Sequence, residues 1–350
     1  MRTPFDPEIP PGRQGFRMPA EWSPHAATWL AWPHKEASWP GKLERIAPIF
    51  AAMARELGRG EAVQINLADA AMQAAAESAL EGTPAEFHRI PTNDAWIRDH
   101  GPIFLNREPG EQIILDWGYN AWGGKYPPFD LDDVVPTQVG KLLGLPVVHP
   151  GMILEGGSIE VDGEGTLLTT EACLLHPNRN PGLERAAIER RLRDYLGVER
   201  ILWLGEGIAG DDTDGHVDDL TRFVAPGVVV TALEPDTSDA NHLPLAANLE
   251  RLGSLRDAGD RRLEIHLLPM PAPVVHEGQR LPASYANFYI ANGCVLLPQF
   301  ACRQDAAAAR VLESLFPGRE IVGMDCRDLV WGLGAFHCLT QQQPMPGAGH

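Results

Sequence analysis

Basic residues are scarce in this chain, long apolar runs are missing, and its few cysteines are scattered. There are 29 Lys and Arg against 47 Asp and Glu, for a formal net charge of −18. Nucleic acid and anionic membrane surfaces both call for clustered positive charge, so the balance argues against either partner. No stretch approaches 18 apolar residues, and the N-terminal MRTPFDPEIPPGRQG lacks the apolar core of a signal peptide. The cysteines, Cys173, Cys294, Cys302, Cys326 and Cys338, are odd in number and never in CxxC spacing. Neither a disulfide framework nor a zinc site is indicated, and a soluble protein of a reducing cytoplasm is expected. No phosphate-binding glycine loop is evident either.

What the chain does have is enough for a full core. Of its 350 residues, 44% are hydrophobic and 22% charged, close to globular averages. The 35 Gly and 31 Pro make it rich in loops. Apolar residues recur at helical spacing over Gly41–Leu57, and Asp69 is placed to cap a helix over Asp69–Leu80. Asn180-Pro181 reads as the start of another helix running to Leu196, before Gly197.

A rhythm follows these helices. Five times a helical stretch leads to a short β-rich run and then to a polar or glycine-rich loop. The runs are Glu86–Ile90, Pro146–His149, Arg200–Leu204, Leu263–Leu268 and Glu320–Met324, spaced by roughly 60 residues. Further β runs fit between them at Ile113–Trp117, Thr166–Thr170, Val228–Ala232, Ser284–Ile290 and Cys294–Pro298. Each unit reads as a mixed ββαβ-like element, with the loops after equivalent strands converging on one face. Ordinary α/β alternation has a similar spacing, so the rhythm alone does not decide the architecture.

Four of the five loops hold an excess of reactive residues. They carry Asp94, Trp96, Arg98 and Asp99; Glu155 before Gly156-Gly157; Asp211, Asp212, Asp214, His216, Asp218 and Asp219; and His337-Cys338 after Gly332-Leu333-Gly334. A lone cysteine is usually a small buried hydrophobe. Cys338 nevertheless follows two glycines that allow close backbone approach, and it is the best nucleophile candidate of the five. If Val217 points inward along a strand, His216 and Asp218 share the opposite face, which suits acid–base work. The acidic run 211–219 could instead hold a divalent cation or be a solvated loop, although it lacks EF-hand spacing. Asp99 could simply pair with Arg98, and Glu155 could cap a turn. Several of Trp22, Trp29, Trp32, Trp39, Trp96, Trp117 and Trp122 could line a pocket for an alkyl cation. Carboxylates match the N–H fork of a guanidinium, and a thiolate can attack its carbon once it is held. The set points to chemistry on a guanidine.

Seven segments in order carry a family resemblance: RMPAEWSPHAATWLAWPH (17–34), NDAWIRDHGP (93–102), DWGYNAWGG (116–124), LEGGSIEVDGEGTLLTT (154–170), TDGHVDDLTRF (213–223), PASYANFYIANG (282–293) and GAFHCLTQQQP (334–344). With them the chain resembles the agmatine deiminases, in the bacterial peptidyl-arginine-deiminase-like group of the guanidine-modifying (pentein) superfamily. The resemblance implies one catalytic α/β domain over 1–350, a five-bladed pseudo-symmetric propeller with the site on its axis. It implies Cys338 as nucleophile, His216 as general acid–base, Glu155 as its carboxylate partner, Asp99 and Asp218 as the grip on the guanidinium, and Trp96 along the substrate's methylene chain. It implies no metal and no organic cofactor, a small cationic guanidino substrate such as agmatine, and a homo-oligomer. Agmatine would give N-carbamoylputrescine and ammonia. Deimination of arginine or peptidyl-arginine, a metal-dependent hydrolase built on 211–219, and guanidine binding without turnover are the alternatives. The chain departs from the family where GLGAFHC stands for the usual GGGNIHC, and where His100 stands for a common Thr.

Overall fold

The computed structural model describes residues 4–347, so the first and last three residues of the expected 1–350 domain lie outside the described residues. Five small mixed sheets share one construction, and none of them closes on itself among the described residues. Each begins with an antiparallel pair of strands, follows with a helix, and returns to a strand parallel to the second.

The first unit has strands Ile103–Arg107, Glu111–Leu115 and Val147–Val148 with helix Val135–Leu143. The second has Glu160–Val161, Thr166–Thr170 and Arg200–Leu204 with helix Arg185–Leu196. In the third, Thr221–Ala225, Val228–Leu233 and Glu264–Pro269 surround helix His242–Ser254. The fourth joins Tyr289–Ile290, Cys294–Gln299 and Glu320–Asp325 with helix Asp305–Leu315. The last joins the two ends of the chain: Gln341–Pro344 pairs antiparallel with His25–Ala31, which runs parallel to Ala62–Leu67 across helix Leu43–Leu57. A second helix, Ala70–Ala79, then adds the parallel strand Ala85–Arg89. The α/β reading and the repeated ββαβ order are therefore present.

Local chemistry accounts for where several elements begin. The Asp69 carboxylate accepts the Met72 N–H at 2.8 Å, satisfying a donor that the first helical turn leaves free. The expected helix at Asn180-Pro181 begins later, at Arg185. Asn180 does not cap it, because its side chain accepts from Ile153 N at 2.9 Å and donates to Ile153 O at 2.8 Å. The strand expected over Ser284–Ile290 shrinks to Tyr289–Ile290.

Apolar faces of the strands and helices form the interior. Trp39, Ile46, Phe50, Met53, Leu57 and Ile65 pack in one cluster with Tyr285, Phe288, Leu296 and Leu312, so the first helix bridges to the fourth unit. Phe16, Leu105, Ile113, Leu167, Ile188 and Leu192 pack between the first two units. Burying a large apolar side chain contributes about 1.5–3 kcal/mol, so these seams are the main source of cohesion between sheets. No helix among the described residues is long and apolar enough to cross a membrane. All five cysteines are free thiols.

Candidate active site

The candidate residues lie on connections that occupy one topological position: between the last strand of one unit and the first strand of the next. Asp99 sits in the one-turn helix Ile97–His100 ahead of Ile103–Arg107. Glu155 precedes the turn Gly156–Ser158 ahead of Glu160–Val161. His216 and Asp218 flank the start of the turn Val217–Asp219 ahead of Thr221–Ala225. Cys338 lies just ahead of Gln341–Pro344. Equivalent connections bring together residues remote in sequence.

Gly157 marks the point of convergence. A methyl group there would lie 2.7 Å from His216 Nδ1, 2.8 Å from Asp99 Oδ1 and 3.0 Å from Asp218 Oδ2. Only glycine leaves room for all three. The Gly157 N–H instead donates to Asp99 Oδ1 at 3.0 Å, and Trp122 Nε1 donates to Asp99 Oδ2 at 2.9 Å. Trp122 is delivered by a left-handed turn, with φ of 51° at Ala121 and 54° at Trp122. Each such residue costs about 1–2 kcal/mol, and strain of this kind collects at functional sites. The Cys338 sulfur receives Asn287 Nδ2 at 3.1 Å and lies 3.8 Å from Asp218 Oδ2. Asn287 Oδ1 in turn accepts the His337 N–H at 3.1 Å.

Several buried polar atoms here have no hydrogen-bond partner: Glu155 Oε2, both ring nitrogens of His216, and Asp218 Oδ1. Unpartnered buried groups are costly and rare, so their clustering marks a place kept for a polar ligand. Burial pushes the Asp99 carboxyl up, His216 draws it down, and Asp218 and Glu155 push it up again, leaving it raised. Burial opposes charge on His216, but Asp99, the Cys173 thiol and Asp218 hold the imidazole well above the ordinary histidine range. Burial raises the Cys338 thiol well above its usual value, and Asp218, Asp219 and Asp99 raise it further. A cation seated among these groups would relieve the carboxylates and favour the thiolate.

A cavity of about 320 Å³ leads to this centre. Its buried lining is Asp94, Trp96, Asp99, Trp122, Gly334 and Cys338, and its more exposed lining includes Lys35, Tyr126, Asp212 and Glu277. A larger concavity of about 780 Å³, bordered by Arg13, Arg17, Trp22 and Asp162, holds one of the candidate tryptophans but none of the candidate catalytic residues. Size therefore does not locate the chemistry in this fold; the convergence of reactive side chains does.

Comparison with known proteins places the chain in a family. The model of the Porphyromonas-type peptidyl-arginine deiminase family matches residues 17–344. The chain belongs to that family. It is 41% identical over 364 aligned residues to the agmatine deiminase of Pseudomonas aeruginosa strain LESB58, covering 97% of this chain and 99% of that one. Among solved structures it resembles the agmatine deiminase of Enterococcus faecalis, with a TM-score of 0.92, 34% identity, and 97% and 98% of the two chains covered. An agmatine deiminase from C. jejuni superposes with a TM-score of 0.84 at 30% identity, over 95% of this chain and 96% of that chain.

Within this member of the deiminase family, Cys338, His216, Glu155, Asp99 and Asp218 come together, and Trp96 lines the cavity with its ring tilted against Trp39 at 5.0 Å. The strand expected beneath His216 and Asp218 is instead a short turn. Both side chains still reach Gly157, because a tight turn can aim neighbours inward without strand alternation. Glu155 does not hydrogen-bond His216; its Oε1 accepts from Arg179 Nε at 2.5 Å. The 211–219 acids disperse. Asp211 closes its own loop through Thr213 and Gly215, Asp214 takes Lys125 and Arg179, and Asp218 takes His337. The donor atoms of Glu155, Cys173 and His216 do lie within 4.8 Å of one another, but Arg179 on Glu155 sets a fixed positive charge against a cation there. His100 faces Tyr119 and Asp132 rather than the cavity, while Leu333 lines it in a left-handed conformation with φ of 70°. Asn287 and Glu21 were not among the candidates. The segments PASYANFYIANG and RMPAEW, which hold Asn287 and Glu21, carried the signal.

Proposed function

We propose that this chain is an agmatine deiminase that hydrolyses the guanidinium through a covalent intermediate on Cys338. The observation that carries the substrate assignment is the polarity of the cavity. Its buried lining sets Asp94 and Asp99 beside the Cys338 thiol, and its more exposed lining carries Asp212 and Glu277. Lys35, the one lysine or arginine among the described lining residues, is tied to Asp94 at 3.1 Å. A ligand with a guanidinium at one end and an ammonium at the other fits this field. A free arginine carboxylate would meet the acids of the more exposed lining.

In this reading Asp99 and Asp218 grip the guanidinium nitrogens, and Trp96 with Trp122 borders the methylene chain. As the cation binds, the Cys338 thiol gives up its proton to solvent, and the thiolate attacks the guanidinium carbon. His216 gives a proton to the departing nitrogen, the C–N bond breaks, and ammonia leaves an amidino-thioether on Cys338. Neutral His216 then takes a proton from water as the water oxygen bonds to the carbon. Collapse breaks the C–S bond and returns the thiolate and N-carbamoylputrescine. Two displacements replace one hard step, with fixed carboxylates stabilising charge throughout. Glu155 steers the His216 proton from its open oxygen while Arg179 holds the other. The five ββαβ units support a five-bladed propeller in a single domain, with the joining connections at its axis. The five free cysteines support a reducing cytoplasmic setting.

Mass analysis of agmatine incubated with the protein in EDTA, beside Cys338→Ala, tests the assignment. A ureido product about one mass unit heavier, formed by the wild type alone, is expected. Unchanged agmatine with both proteins, and turnover of blocked arginine instead, would overturn it.

A further inference from the structure

The residue before the nucleophile is held between two buried carboxylates. His337 Nδ1 lies 2.7 Å from Asp218 Oδ2, and its Nε2 lies 2.8 Å from Glu21 Oε2. Both contacts are short, and a ring nitrogen bearing a lone pair would be repelled by a carboxylate at that distance. Between two ionised carboxylates both nitrogens must donate, and a doubly donating ring carries a positive charge. Glu21 is itself fixed: Arg222 Nη2 and the Ile290 N–H donate to its Oε1 at 2.9 and 2.8 Å, and Arg98 Nη2 donates to Oε2 at 3.3 Å. On the other side, His337 occupies one oxygen of Asp218 and leaves Oδ1 buried without a partner.

We propose that His337 is a positioning residue: as a doubly donating imidazolium braced on Glu21, it locks the Asp218 carboxylate with Oδ1 free for the substrate guanidinium. The role follows from adjacency as well as geometry. His337 and Cys338 share the connection anchored by Asn287, whose Oδ1 accepts the His337 N–H at 3.1 Å and whose Nδ2 reaches Cys338 Sγ. One short segment therefore sets the nucleophile and one jaw of the guanidinium grip together. Without the brace, Asp218 could turn its free oxygen away, and misplacement on the order of 1 Å can cost about 10²-fold in rate. Lowered values for both carboxyls agree with ionised partners on either side. Burial would raise each, but Arg222, His337 and Arg98 outweigh it at Glu21, and His337, His216 and Arg222 do so at Asp218.

The inference rests on the deiminase reading, so its test has two arms that fail separately. In the wild-type protein labelled with ¹⁵N-histidine, the His337 ring, assigned by its loss in His337→Gln, should show both nitrogens protonated at neutral pH. A nitrogen without a proton overturns the brace whatever the substrate. In the kinetic arm, His337→Gln should lower kcat/KM on agmatine about 10²-fold, while Asp218→Asn combined with His337→Gln should be no worse than Asp218→Asn alone. Additive losses would mean that His337 does not act through Asp218. Wild-type protein inert toward agmatine would defeat the deiminase reading while leaving the spectroscopic arm to decide on the brace.

Discussion

Two buried sets of charged side chains lie next to each other in this protein, and they are finished differently. Around Glu21, Arg98, Arg222 and Glu160, opposite charges face each other at 2.9–3.3 Å. Around Glu155, His216 and Asp218, oxygens and nitrogens are equally buried but left without partners. The first set cancels its charge internally, as a scaffold must in a low-dielectric interior. The second leaves polar atoms open on these groups, which a bound polar ligand would complete. His337 joins the two, touching Glu21 on one side and Asp218 on the other.

Substitutions in the two sets should therefore separate activity from stability. The largest effect is expected for Cys338→Ala: a loss of about 10⁴-fold or more in turnover, with an unfolding midpoint close to that of the wild type. A variant within about tenfold of wild-type turnover would remove Cys338 as nucleophile. In the paired set, Glu21→Gln leaves Arg98 without its carboxylate and Arg222 with Glu160 alone, and should cost about 3–5 kcal/mol in urea unfolding. A wild-type midpoint there would erase the contrast.

Asp99→Asn should behave in the opposite way. Losing one arm of the grip should lower kcat/KM about 10²–10³-fold. The Asp99 carboxyl is raised by burial and by neighbouring Asp218 and Glu155 against the pull of His216. Its ionised form at neutral pH thus opposes folding, and the neutral amide should leave thermal stability unchanged or higher. A marked fall in stability would place Asp99 with the scaffold.

Smaller effects sharpen the picture of an unfilled site. Because burial and three carboxylates raise the Cys338 thiol, little of it is thiolate at neutral pH. Iodoacetamide should modify Cys338 about tenfold more slowly than an ordinary exposed thiol near pH 7, with the rate climbing as pH passes 9. Peptide mapping can follow this residue separately from the other four cysteines. Fast labelling at neutral pH without ligand would contradict the raised thiol. Finally, with a net charge of −18 the protein should draw in a cationic substrate. Raising salt from about 0.02 to about 0.3 M should lower kcat/KM several-fold, and a flat profile would confine the electrostatics to the pocket.

Much of the fold was legible because its signals are local. Strands Thr166–Thr170 and Arg200–Leu204 run where their apolar, β-branched runs begin and end, and Asp69 caps the helix it precedes. The exceptions are places where a side chain was taken up by a distant partner. Asn180 turned to Ile153 instead of capping a helix, and the Ser284–Asn287 segment left the strand as Asn287 reached Cys338. The site was legible as residue types in loops, but not as partners. Trp122 was one tryptophan among several until a left-handed turn set its indole on Asp99.

The sequence by itself determined the five-unit rhythm, the family, and the set of reactive residues, since periodicity, capping and ordered motifs are properties of neighbouring residues. Only the tertiary structure decided which carboxylates are neutralised and which stay open. Arg222 meets Glu21 across 201 residues, and His337 meets Glu21 across 316 and Asp218 across 119. Such pairings depend on how separate sheets pack, and burial turns them from weak surface contacts into the difference between a scaffold and a site.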